Sequence, residues 1–170
     1  YILLEHSIMT LISDDDGEQL AKLLPAQNMC DLLTAIKDSM AIIIEYLQRI
    51  SSQSESINSS SHLYPITIAS IRVLCVWITE ETEALRNEIS NILPFIIQVM
   101  RSAIQSNDPY SKSIFHTVIP AFESLCSDDD NMKIILKQED FNQLMNQFKM
   151  ILPENEIEND LCKSLEQLLT

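Results

Sequence analysis

Apolar residues recur along this chain at intervals of three and four, the spacing that places side chains on one face of a helix. In the opening YILLEHSIMTLI, Leu4, Ile8, Leu11 and Ile12 share such a face. The same period predicts helices over about 2–12, 17–24, 28–50, 65–79, 82–105, 110–126, 128–137, 140–152 and 155–169. Two segments, MAIIIEYL and IRVLCVWI, leave little polar arc. Helices of that kind belong in the middle of a packing arrangement, with neighbours on several sides.

Boundary signals support this division. Asp140 is followed by Gln143, and Asn155 by Glu158, both compatible with a capping box. Pro25, Pro94 and Pro120 interrupt apolar helical runs. Proline lacks the amide donor and its ring crowds the preceding turn, so a kink or restart is expected at each. The stretch SSQSESINSSSH has too little apolar surface to offset the entropy of ordering, which predicts a flexible Ser-rich loop over residues 51–63. Its Asn58-Ser59-Ser60 tripeptide matches a glycosylation acceptor, a pattern that recurs by chance.

Composition narrows the architecture further. A single glycine among 170 residues disfavours hairpins, phosphate-cradling loops and dinucleotide folds, which draw on glycine for positive φ. An all-α fold is expected, built either as a closed bundle or as stacked helix pairs. Internal prolines and uneven helix lengths favour an armadillo/HEAT-like helical solenoid, with an irregular helical bundle as the alternative. Residues 1–170 read as part of one such domain. The lack of an initiator methionine and of a cap before the first helix suggests a fragment of a longer protein.

The formal net charge of −14 sets the class of partner. A phosphate backbone or an anionic lipid surface is repelled, and no Lys/Arg stripe offsets this, so no nucleic acid is expected. The acids fall in groups, at Asp14 to Asp16, Glu80 to Glu83, Asp128 to Asp130 and Glu154 to Asp160. Near helix starts they complement the helix dipole, and together they form either a solvated surface or a face for a basic partner. No apolar run approaches the roughly 20 residues needed to span a bilayer.

Candidate chemistry is sparse. Cys30, Cys75, Cys126 and Cys162 include no C-x-x-C pair, and each sits in an apolar helical pattern. They read as buried thiols of a reducing, cytoplasmic compartment. His6, His62 and His116 have no second ligand at helical spacing; His116, in IFHTVIP, reads as a core or boundary residue. SDDDGEQL resembles a calcium loop only superficially. Aligning Gly17 with the loop glycine puts Ile12 and Leu23 at ligand positions, where apolar side chains cannot coordinate. No metal or cofactor is expected.

The knot TEETEALRNE carries Glu80, Glu81, Glu83 and Glu88. Thr79 and Thr82 are N-cap candidates before Leu85, and Arg86 follows Glu83 at a pairing distance on one helix face. The knot therefore reads as a turn between two helices. Its exposed acids Glu80, Glu81 and Glu83 are the candidate protein-binding surface.

The segment around that knot, IRVLCVWITEETEALRNEISNILPFI from Ile71 to Ile96, resembles a characteristic stretch of neurochondrin-family proteins. There a helix rich in Leu, Cys and Trp meets an EET turn, followed by a helix ending in LPF. A looser similarity covers DDDNMKIILKQEDFNQLM, Asp128 to Met145. Trp77, Glu80, Glu81 and Thr82 match the family pattern as landmarks. The resemblance implies an armadillo-like solenoid without enzymatic activity. It also implies a cytoplasmic scaffold or adaptor that binds signalling proteins, calcium/calmodulin-dependent kinase among them, with a role in neurite outgrowth. The family's lipid anchor is expected outside this segment. Rival readings are a helical regulatory domain of an enzyme, with a carboxylate or thiol site assembled from distant helices, and a structural oligomerisation bundle.

Overall fold

The computed structural model describes residues 26–53, 61–79, 83–106, 111–128, 130–138 and 141–151, together with Lys163 and Gln167. Six helices make up these stretches: α1 (Ala26–Ser52), α2 (Tyr64–Ile78), α3 (Arg86–Gln105), α4 (Ser111–Asp128), α5 (Asp130–Gln138) and α6 (Phe141–Ile151). No strand occurs among the described residues, and the fold is all-α. The helices expected over 2–12, 17–24 and 155–169, and the capping boxes at Asp140 and Asn155, lie outside the described residues or reach into them only at isolated positions.

Local sequence accounts for several helix ends. The last turn of α1 is closed by Ser51 and Ser52, whose hydroxyls both donate to the Gln48 carbonyl at 2.8 Å. Arg49 lies in that last turn, where a cation complements the carbonyl end of the dipole. The Ser-rich stretch thus begins in a helix, and its residues 54–60 lie outside the described residues. Pro65 occupies the first turn of α2, where a missing amide costs nothing because no intrahelical acceptor precedes it.

Pro94 and Pro120 do not restart their helices. Each sits inside a continuous one, α3 and α4 respectively, since apolar packing of the flanking turns outweighs one lost backbone bond. On α3, Leu93, Ile96, Ile97 and Met100 are fully buried around Pro94.

The packing order is regular. Helix α1 packs on α2 and α3, α2 lies most extensively against α4, and α3 packs on α4, α5 and α6. Helix α5 packs on α4 and α6. Ring contacts join α4 to α6, Phe115 with Phe148 and Phe122 with Phe141. Contacts thus run along α1, α3 and α5 and along α2, α4 and α6, and the two sets meet where α1 packs on α2, α3 on α4 and α6, and α5 on α4 and α6.

One continuous apolar core results, running from Ile36 of α1 to Phe148 of α6. Helix α2 contributes much of it. Ile71, Leu74, Cys75 and Ile78 are wholly buried, and so are the polar Thr67 and Ser70. Thr67 donates its hydroxyl to the Leu63 carbonyl at 3.0 Å and shares a 3.4 Å hydrogen bond with the Tyr46 hydroxyl of α1. A buried hydroxyl so satisfied avoids the roughly 1–3 kcal/mol cost of an orphaned polar group.

Two expectations about single residues are corrected. Cys30 is exposed, because most described side chains in the first turns of α1 face solvent. His116 is likewise exposed on α4, its neighbours Ile114, Phe115 and Val118 taking the buried positions.

Candidate functional site

The acidic knot lies between α2 and α3, and its geometry differs from the capped turn that the threonines suggested. Thr79 is the C-cap of α2. Its amide donates to the Cys75 carbonyl at 3.2 Å and its hydroxyl to the Val76 carbonyl at 2.7 Å, so it ends one helix instead of starting the next. Glu80, Glu81 and Thr82 lie outside the described residues. Helix α3 begins at Arg86, not at residue 82.

Its N-cap is Leu85, which has φ 61° and ψ 21° and offers no side-chain acceptor. A branched side chain in this left-handed region costs roughly 1–2 kcal/mol, through crowding of Cβ against the following carbonyl. Two contacts offset that cost. Leu85 and Ala84 pack partly buried against the core, and the Leu85 carbonyl accepts the Ile89 amide at 2.9 Å. Glu88 stands in the first turn of α3, where a carboxylate complements the exposed amides. Glu83 is exposed just before it. Trp77, the bulkiest of the landmark residues, is 6% exposed, so it acts as core packing.

Among the described residues, two concavities lie elsewhere. The first, about 410 Å³, is bounded by the end of α4, by α5 and by the start of α6. Cys126, Leu136 and Phe141 form its apolar wall, and Lys133, Lys137, Asn142 and Gln167 its polar rim. The second, about 320 Å³, lies along α3 beside the end of α1 and is lined by Ser51, Asn91, Pro94, Phe95, Gln98 and Arg101. The sequence reading missed this groove. Its one available signal was the recurrence of Asn91, Pro94, Gln98 and Arg101 at steps of three and four, a polar stripe opposite the apolar arc of α3.

The Cys75 thiol is not poised for chemistry. Cys75 is wholly buried, and desolvation pushes its thiol far above the ordinary cysteine range, so it stays protonated. Among the described residues no group of three or more His, Cys, Asp or Glu side chains is placed to hold a metal ion. No described helix is long and apolar enough to cross a membrane.

Comparison with known proteins gives this arrangement its context. The family model for neurochondrin matches residues 1–167. Neurochondrin of Xenopus laevis is 29% identical over 112 residues, covering 66% of this chain and 14% of that protein. Neurochondrin of Gallus gallus is 25% identical over 109 residues, covering 64% of this chain and 14% of its own length. For neurochondrin of Homo sapiens the figures are 29% over 90 residues, 51% of this chain and 11% of that protein. This chain thus spans a small part of the relatives it matches. No solved structure matches it. With the family model covering nearly all of its residues, the chain belongs to the neurochondrin family.

Proposed function

We propose that this chain is part of an armadillo-like helical solenoid that acts as a non-enzymatic scaffold or adaptor for signalling proteins. The observation that carries this reading is the packing order, with α1, α3 and α5 forming one layer and α2, α4 and α6 the other. Stacked helix pairs produce that order, and such stacks present an extended face on which side chains from successive pairs align. Membership of the neurochondrin family, which is not known as an enzyme family, agrees with it.

In this reading the protein works in the cytoplasm, in neurite outgrowth and in restraint of calcium/calmodulin-dependent kinase signalling. Glu80, Glu81 and Glu83 are the residues that steer a basic partner surface in this reading, as the net charge of −14 favours. The deciding experiment measures binding of the full-length protein to purified calcium/calmodulin-dependent kinase, together with kinase turnover on a peptide substrate. Saturable binding that lowers turnover is expected. A kinase that neither binds nor slows would remove this partner from the reading.

A further inference from the structure

The groove along α3 has a chemistry that differs from the acidic knot. Asn91 and Gln98 are both exposed and lie about two turns apart on one face of the helix. Each carboxamide offers a carbonyl acceptor and an NH₂ donor, the pair needed to engage one peptide unit. Between them Pro94 and the nearly buried Phe95 form an apolar floor. Ser51, in the last turn of α1, forms the opposite wall.

The form of the ligand follows from this set. A helical partner satisfies its own backbone and docks by an apolar stripe, for which one phenylalanine edge and a proline ring are too little. An extended segment leaves its amides and carbonyls unpaired, and those are the groups that side-chain amides recognise. From Asn91 to Arg101 the face is roughly 15 Å long at helical rise, the reach of four or five residues of extended chain. Arg101 is the one charged group among the lining residues, so the complement of the groove is acidic.

We propose that this groove binds an extended, acidic segment of a partner protein, held through its backbone by Asn91 and Gln98 and with a carboxylate directed at Arg101. This rests on the protein-binding reading above and adds to it the class of segment and the residues that hold it. The Arg101 guanidinium has five donors and serves a ligand carboxylate alongside any contact within the chain.

The test is selection of displayed random seven-residue peptides on the full-length protein, followed by anisotropy titration of the selected peptides carrying fluorescein. Selected sequences should contain Asp or Glu and lack proline at alternate positions. Their affinity should fall at least tenfold in the double variant Asn91→Ala/Gln98→Ala, and similarly in Arg101→Glu. Methylating alternate backbone nitrogens of the peptide should weaken it as much. Gln98→Glu, which keeps the shape but removes the donors, should reproduce the loss while leaving the unfolding midpoint unchanged. Peptides that bind the double variant at parental affinity, or bind as helices indifferent to N-methylation, overturn the proposal. If the kinase still binds while no peptide is selected, the groove inference falls and the scaffold reading stands. If neither kinase nor peptide binds, both fall.

Discussion

Phe115 of α4 and Phe148 of α6 stack with ring centroids 4.0 Å apart and planes 6° from parallel. Two turns further along α4 and two turns back along α6, Phe122 meets Phe141 at 5.5 Å with planes tilted by 48°. The crossing of the two pairs fixes α4 and α6 as antiparallel. All four side chains are at most 2% exposed. Near-parallel rings this close act chiefly through burial and dispersion. Phe148→Ala is therefore expected to cost about 3–5 kcal/mol in urea unfolding. In the cycle Phe115→Leu, Phe148→Leu and the double variant, coupling of about 0.5–1.5 kcal/mol is expected for a ring pair. Strict additivity would show that each ring contributes by burial alone.

The left-handed backbone at Leu85 makes a prediction of unusual sign. At a helix interior position glycine is worse than alanine, but at φ 61° glycine is relieved of the Cβ clash that alanine retains. Both substitutions forfeit the packing of the leucine side chain against the core. Leu85→Gly should thus be more stable than Leu85→Ala by about 1 kcal/mol. Urea midpoints measured on the two variants decide it, and an alanine variant at least as stable as the glycine one would show that residue 85 is not held left-handed.

What the sequence disclosed and what it concealed divide along the range of the interactions involved. IRVLCVWI leaves little polar arc, and from Ile71 to Ile78 α2 is accordingly buried at every position but Arg72 and Val76. Local periodicity is sufficient for that. The start of α3 was not legible, since Thr79 and Thr82 both suit an N-cap, and the boundary is set instead by a leucine with no capping atom. Cys30 fits an apolar helical pattern as well as Cys75 does. Only the placement of neighbouring helices decides that the first turns of α1 face solvent while α2 is enclosed. The α3 groove was hidden for the same reason, because Ser51 and Asn91 become neighbours only when α1 packs on α3.

Burial separates the cysteines in a measurable way. Cys30 is exposed and should react with a thiol reagent in the native state, whereas Cys75 should react only on unfolding. The same burial links Cys75 to pH. Its folded thiol titrates far above the ordinary value of 9.0, so above that pH the unfolded chain loses a proton that the folded chain keeps. The stability from this group is fully present below about pH 9 and then falls by about 1.4 kcal/mol per pH unit. Cys75→Ala should flatten that alkaline slope. An unchanged slope would assign the alkaline loss to other groups.

Charge reversal at the acidic turn tests the steering role of Glu80, Glu81 and Glu83. Glu83 is exposed, and α3 starts after it at Leu85, whose own side chain caps no amide. Lysine at all three positions should therefore leave far-UV circular dichroism and the unfolding midpoint close to those of the parent. Association with a basic partner should slow by about tenfold at low ionic strength, because clustered charge raises the encounter rate over a distance comparable to the Debye length. That length is about 3 Å in 1 M salt, so parent and variant should converge there, while dissociation rates differ little throughout. Stopped-flow association at several salt concentrations reads both effects. Loss of helicity in the triple variant would make the knot a structural cap. Equal association rates at every salt concentration would place the partner surface away from this turn, and the groove on α3 would then be the face to test.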